Sequence, residues 1–269
     1  MGATAKRLSA PDLAARKGSG RAISMVTCYD HWTARILNDS DVDCLLVGDS
    51  LAMVVHGYDS TVHADTDMMA LHTRAVARGA PDKLIVADVP FLAARKGLVP
   101  AMDSVQALMQ AGAQAVKIEG EKGIVELIAH IVDAGVPVMG HLGLTPQSVH
   151  GIGGHRVQGR EEAAARALVE SARRLAGAGC FALVLECVPA ALGRCVSRAV
   201  DIPVIGIGAG AETDGQVLVL QDLLGADPTF TPRFVRRYED LHGTVSAAVN
   251  RFHEDVQARR FPCAREAYA

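Results

Sequence analysis

Aromatic residues are scarce: one Trp, four Tyr and six Phe, or 4% of 269 residues. That is too few for the stacking platforms that hold single-stranded nucleic acid. An excess of one charge is missing as well, since 27 Lys and Arg against 30 Asp and Glu leave a net charge of -3. The sum provides no basic field for nucleic acid or an anionic membrane. No apolar run approaches membrane-spanning length. The six cysteines (Cys28, Cys44, Cys180, Cys187, Cys195 and Cys263) include no C-x-x-C pair. Most lie in apolar, strand-like runs where free Cys acts as a small hydrophobe, so the chain reads as reduced, intracellular and cytoplasmic. The N-terminus lacks an apolar h-region, and Lys6 stands where a myristoylation motif needs Ser or Thr. The first eleven residues contain no acid, as in an organelle transit segment, but read better as a frayed terminus. Gly151-Ile-Gly-Gly154 and Gly206-Ile-Gly-Ala-Gly210 lack the Lys-Ser/Thr of a phosphate loop and read as turns or a lid.

What is present is an ordinary globular composition, 49% hydrophobic and 21% charged, with ample apolar residue for a core. Short apolar runs alternate with helical stretches. Strands are expected at Ile23 to Asp30, Cys44 to Gly48, Leu84 to Pro90 and Ala115 to Glu119. They continue at Pro137 to Leu142, Ala182 to Val188 and Pro203 to Gly208, with Val217 to Leu220 as an eighth that could instead open a helix. Between them, Met68 to Arg78 and the i, i+3, i+4, i+7 spacing of Ile124, Leu127, Ile128 and Ile131 predict helices. So do the stripes Val105, Leu108, Met109 and Leu168, Ala172, Leu175. Ser9 to Gly18 has helix start and stop signals of its own. Strands apolar on both faces, alternating with helices, are the pattern of a covered parallel sheet. About eight such units in one chain predict a single (β/α)8 TIM barrel over 1–269. Residues 1–20 would form an N-terminal helix and tail, and 255–269 a C-terminal tail. A doubly wound open sheet would need a Gly-rich dinucleotide turn after the first strand, and none is there. The connection Gly143 to Arg160 is too long for a tight turn.

In such a barrel, reactive groups sit at the carboxyl ends of the strands. Those ends supply Asp49 and Ser50, Asp88, Lys117 and Glu119, His141, and Glu186. Each follows a buried run, where an unpaired charge is expensive. A hard divalent cation would let carboxylates share the site, and all-oxygen donors favour Mg2+ over Zn2+. Lys117 and Glu119, two apart on a strand, share one side, and Lys117 is placed to hold a substrate carboxylate. Taken singly, each residue has a plainer explanation. A strand-end acid is commonly a loop cap or ion-pair partner, Ser50 could cap the next helix, and His141 reads as an orienting group. Cys187 points to the face opposite Glu186 and reads as packing. Five converging strand ends favour a site. A 2-oxo acid held there by metal would have its neighbouring carbon acidified, with Glu186 as the base.

The stretches Met25-Val-Thr-Cys-Tyr-Asp30, Leu46-Val-Gly-Asp-Ser50, His72-Thr-Arg-Ala-Val-Ala-Arg-Gly-Ala-Pro81 and Ala87-Asp-Val-Pro-Phe91 form the first half of a longer series. They continue with Val116-Lys-Ile-Glu-Gly120, Gly140-His-Leu-Gly-Leu-Thr-Pro-Gln-Ser148, Val157-Gln-Gly-Arg160, Leu185-Glu-Cys-Val-Pro189 and Ile205-Gly-Ile-Gly-Ala-Gly210. With these, the chain resembles the ketopantoate (3-methyl-2-oxobutanoate) hydroxymethyltransferase family over nearly its whole length. The resemblance implies a barrel of the phosphoenolpyruvate/pyruvate type assembled as a homodecamer. It also implies transfer of a hydroxymethyl group from 5,10-methylenetetrahydrofolate to 3-methyl-2-oxobutanoate, giving ketopantoate for pantothenate and coenzyme A synthesis. Carried across, Asp49 and Asp88 bind Mg2+ with Glu119 beside it. Asp49, Ser50, Asp88 and Lys117 hold the oxo acid, and Glu186 accepts the proton. The chain departs from the family pattern at Val62-His-Ala-Asp65, at Leu92-Ala-Ala-Arg-Lys96 and in the tail from Phe261 to Tyr268.

Three rival readings differ in what they require of the sequence. A lyase or mutase resembling the isocitrate lyase and phosphoenolpyruvate mutase group would carry a Lys-Lys-Cys-Gly-His-type lid, which is absent. A diverged paralogue would act on another 2-oxo acid. A non-catalytic barrel that merely binds a 2-oxo acid has no need of Glu186.

Overall fold

Eight parallel strands, each hydrogen-bonded to the next in chain order, close into one barrel in the computed structural model, which describes residues 7–268. The strands are β1 (Ile23–Thr27), β2 (Cys44–Val47), β3 (Leu84–Asp88), β4 (Ala115–Glu119), β5 (Val138–Gly143), β6 (Ala182–Glu186), β7 (Val204–Ile207) and β8 (Gly215–Leu218). The helices are α1 (Ala10–Ala14), α2 (His31–Asn38), α3 (Leu51–Val54), α4 (Thr66–Gly79), α5 (Leu98–Gln110), α6 (Val125–Asp133), α7 (Val149–Ile152), α8 (Glu162–Gly177), α9 (Ala190–Ala199), α10 (Leu220–Leu223) and α11 (Leu241–Gln257). One compact unit ends at Leu218 and a second begins at Val219.

Side chains alternate along a strand, so one parity of each strand fills the barrel. The interior cluster contains Ile23 and Met25, Cys44 and Leu46, Leu84 and Val86, Ala115, Met139, Ala182 and Val184, Ile205 and Ile207, and Val217. Leu13 of α1 joins it, which gives the N-terminal helix its reason to dock. Two residues further along the same parity stand Asp88, Lys117, His141 and Glu186, with Glu119 two beyond Lys117. The barrel is therefore apolar in its lower layers and ionisable in its top one.

Local signals set the helix starts. Asp30 ends the first apolar run and accepts a hydrogen bond from the Thr33 N–H at 2.8 Å, capping α2. Asp65, one of the departures from the family pattern, does the same for α4 through the Met68 N–H at 2.8 Å. Helices α2 and α4 meet at Gly79, where a Cβ would stand 2.5 Å from the His31 carbonyl oxygen. Only glycine permits that approach.

The eighth strand differs from expectation: it runs Gly215–Leu218, and Leu220 opens α10. Both readings of Val217 to Leu220 are thus half right, because the chain leaves the sheet within that run. The connection from Gly143 to Arg160 holds a 3-10 turn, Pro146–Ser148, followed by α7. In the second unit, the Tyr238 N–H reaches the Leu223 carbonyl at 2.8 Å and the Leu241 N–H that of Leu224 at 2.8 Å. Helix α11 extends to Gln257, into the stretch expected as a tail. No helix among the described residues is long and apolar enough to cross a membrane. Residues 1–6, part of the stretch read as a frayed terminus, lie outside the described residues.

Candidate active site

Strand register brings the ionisable layer together. Asp88 is the Cα partner of Lys117 across β3 and β4, Glu119 that of His141 across β4 and β5, and Gly143 that of Glu186 across β5 and β6. Lys117 Nζ consequently lies 2.8 Å from Asp88 Oδ1 and 3.1 Å from His141 Nδ1. The contact with Asp88 is a buried ion pair. A lysine ammonium only donates, so His141 Nδ1 accepts, and the neutral imidazole carries its proton on Nε2. That nitrogen faces Glu186 Oε2 at 3.2 Å. Glu119 Oε1 lies 3.3 Å from His141 Nδ1. Asp88 turns its other oxygen to the Asp49 backbone N–H at 3.0 Å, tying β3 to the loop after β2.

Asp49, Asp88, Lys117, Glu119 and His141 are all buried, and Glu186 is more accessible. Burial raises the carboxyl of Asp49 well above its usual range, and Glu119 and Asp88 add to the effect. Burial also raises Asp88 and Glu119, each partly offset by Lys117. Burial by itself lowers the pKa of Lys117, but Asp88, Glu119 and Asp49 outweigh it and hold the ammonium charged. His141 is pushed down by burial and by Lys117, which keeps it neutral. Three acids against one ammonium leave a deficit of positive charge at several kcal/mol per unpaired ion.

The donor set fits a hard cation. Glu119 Oε1 is a buried oxygen without a hydrogen-bond partner, Asp88 Oδ1 faces the Lys117 ammonium alone, and the carboxylate chemistry matches Mg2+. No group of three or more His, Cys, Asp or Glu side chains among the described residues is arranged to hold a metal by itself. Such a site would then draw on one or two carboxylates, with substrate and water completing the shell, the usual habit of Mg2+.

Ser50 occupies the N-cap position of α3 but makes no capping bond. Its hydroxyl instead meets the phenolic oxygen of fully buried Tyr29 at 2.8 Å, so the helix-cap explanation fails. Cys187 takes a left-handed backbone, φ 48°, as the chain turns out of β6 beside Glu186.

Two site residues escaped the sequence reading. Gln147, in the 3-10 turn after β5, donates its side-chain amide to Asp49 Oδ2 at 2.8 Å and to the Val89 carbonyl at 3.0 Å. Its backbone N–H reaches Glu119 Oε2 at 3.0 Å. No periodicity marks a glutamine in a Gly-rich loop. Tyr29 does follow the interior parity of β1, two beyond Thr27, and that signal was available.

A family profile described as ketopantoate hydroxymethyltransferase matches residues 7–264. The chain is 52% identical over 254 residues to the 3-methyl-2-oxobutanoate hydroxymethyltransferase of Bdellovibrio bacteriovorus, covering 94% of this chain and 97% of that one. Identity to the enzyme of the same name from Coxiella burnetii is 48%, covering 95% and 96% of the two chains. Among solved structures, the barrel resembles phosphoenolpyruvate phosphomutase from Streptomyces platensis subsp. rosaceus (TM-score 0.63, 13% identity, covering 97% and 92%). It also resembles a phosphonopyruvate hydrolase in complex with oxalate and Mg2+ (TM-score 0.61, 12% identity, covering 96% and 93%). At such identities the structural likeness speaks for the fold alone. With a family profile matched over nearly its full length and relatives near half identical, this chain belongs to the ketopantoate hydroxymethyltransferase family.

Proposed function

We propose that the chain transfers a hydroxymethyl group from 5,10-methylenetetrahydrofolate to 3-methyl-2-oxobutanoate, in an Mg2+-dependent reaction serving pantothenate and coenzyme A synthesis. Asp49 and Asp88, with Glu119 beside them, would hold the cation. Bound there, Mg2+ supplies Lewis acidity at the oxygens of the oxo acid. Asp49, Ser50, Asp88 and Lys117 position that substrate, with the Lys117 ammonium facing its carboxylate. Glu186 removes the C3 proton. The methylene carbon exchanges its two bonds to folate nitrogens for one bond to C3, formed by the C3 electron pair, and one to a water oxygen, while the C3 proton and one water proton end on the two nitrogens. No net oxidation occurs.

The observation that carries this reading is the Glu186–His141–Lys117 line. A carboxylate lies 3.2 Å from a buried imidazole whose other nitrogen lies 3.1 Å from a buried ammonium, over a cluster of acids. An ion-binding barrel without chemistry gains nothing from an oriented base. The resemblance further implies assembly of identical chains into a decamer. In keeping with self-association, α11 exposes Val245, Val249, Phe252 and Val256 at heptad spacing.

The test is proton NMR of 3-methyl-2-oxobutanoate in D2O. Enzyme with Mg2+ should erase the C3 proton signal, and added methylenetetrahydrofolate should yield ketopantoate. Glu186→Gln should keep oxo-acid binding while exchange falls about 10²- to 10⁴-fold, the usual worth of a general base. Near-normal exchange in that variant would remove Glu186 from the role. Exchange without product would favour another acceptor or another oxo acid.

A further inference from the structure

The three acids over the barrel share one pattern. In each carboxylate, one oxygen accepts from an uncharged N–H. Asp88 Oδ2 takes the Asp49 backbone at 3.0 Å, Asp49 Oδ2 the Gln147 side chain at 2.8 Å, and Glu119 Oε2 the Gln147 backbone at 3.0 Å. Two of these donors belong to Gln147. The oxygens left over are Asp49 Oδ1, Asp88 Oδ1, which faces Lys117, and Glu119 Oε1, which is buried without a hydrogen-bond partner.

The sequence of the β5 loop builds this grip. Pro146 opens the 3-10 turn, and the first N–H groups of such a turn have no partner within it. The Gln147 N–H is one of them, and Glu119 satisfies it. The side-chain amide has only one workable orientation. Its nitrogen lies 2.8 Å from Asp49 Oδ2 and 3.0 Å from the Val89 carbonyl, two acceptors that the amide oxygen could not meet. Both N–H donors of the amide are thereby used, on groups just past β2 and β3. The loop is in turn tied to the base. The Leu144 N–H bonds the Glu186 carbonyl at 2.8 Å, and the Gln158 N–H bonds the Cys187 carbonyl at 2.8 Å. Both ends of the loop therefore hang from the end of β6, where Glu186 stands.

A glutamine brings no charge to this bridge. It orients the carboxylates without neutralising them, which a lysine in its place would do. Outer partners of that kind fix how ligating carboxylates are turned, and losing one typically costs about 10- to 100-fold in metal affinity. We infer that Gln147 is the positioning residue of the cation site: by holding one oxygen each of Asp49 and Glu119, it keeps the other oxygen of each available to Mg2+. The inference rests on the Mg2+ of the proposed function, and it adds a residue that acts only through the acids.

The experiment is calorimetric titration of the full-length protein with Mg2+ in the presence of 3-methyl-2-oxobutanoate, which helps complete the shell of the ion. Binding of Mn2+ is followed in parallel by electron paramagnetic resonance. Gln147→Met keeps the length of the side chain and removes the amide, and Gln147→Ala removes both. In each variant the Kd for Mg2+ should rise about 10- to 100-fold, and the spectrum of bound Mn2+ should broaden as its carboxylates loosen. Urea unfolding in chelator separates this from a merely structural bridge, which would lower the metal-free stability and leave the Kd alone. A Kd at the wild-type value in both variants overturns the inference and leaves the Mg2+ reading standing. So does tighter binding, which would make the amide a competitor of the cation for Asp49. Variants that no longer fold would make Gln147 a structural residue and equally overturn the inference. A wild-type protein that binds neither ion overturns the Mg2+ reading, and the inference with it.

Discussion

Gly143→Ala is the sharpest probe of how the barrel positions its base. Gly143 closes β5 with φ +89°, and a Cβ there would sit 2.1 Å from the Glu186 carbonyl oxygen and 3.1 Å from its carbonyl carbon and amide nitrogen. The Leu144 N–H bonds that same carbonyl at 2.8 Å, so the two strands are pinned where the methyl would intrude. The backbone conformation costs alanine about 1–2 kcal/mol, and the intruding methyl about 1–3 kcal/mol more. Together they predict a loss of about 2–5 kcal/mol, read by urea unfolding. Real Cβ contacts essentially never fall under 3.0 Å. The Glu186 backbone must therefore retreat by roughly 1 Å, a misplacement that can cost about 10²-fold in rate. C3 proton exchange should fall accordingly, with the oxo acid still binding. A variant within about 0.5 kcal/mol of wild type and with normal exchange would refute the idea that Gly143 keeps Glu186 in place.

Lys117→Met removes the ammonium that sits among three buried acids, and breaking a buried pair from one side costs about 3–5 kcal/mol. With chelator present, this loss should shrink as pH falls. The stranded carboxyls already have raised pKa values when folded, so the folded state takes up protons before the unfolded one. A loss independent of pH would count against charge as its cause. Away from the site, Glu121 Oε1 meets Arg174 at 2.8 Å and the Ser171 hydroxyl at 3.0 Å, which clamps α8 to the end of β4. Arg174 holds the Glu121 carboxyl below its usual range. The stability it contributes is present above the ordinary carboxylate pKa and is lost as pH falls through the depressed folded value. Because Arg174 is half exposed, Glu121→Gln should cost only about 1 kcal/mol at neutral pH. The difference from wild type should vanish in acid, and a constant difference across pH would refute the assignment.

Much of this protein was legible before folding. The strand positions followed from apolar runs too short for helices, and the barrel from their alternation with helical stripes. The convergence of Asp49, Asp88, Lys117, Glu119, His141 and Glu186 followed from strand-end position alone. Those features are local or periodic, and period-2 and period-3.6 patterns survive in one dimension. Residues in loops without period left no such trace. Gln147 became a site residue because the β5 loop folds back over the acids. Ser50, at a cap position by sequence, turned to Tyr29 because the first two strands are neighbours at register Thr27 with Leu46.

The sequence by itself determined which side chains stand in the top layer of the barrel, because alternation along a strand leaves a residue two faces to choose from. Only the tertiary structure decided which of them meet. Partners such as Asp88 with Lys117 and Glu119 with His141 depend on the register between strands, and register is set by the packing of the whole closed sheet. The tautomer of His141, the aim of Glu186 and the burial that shifts the acids all follow from that register.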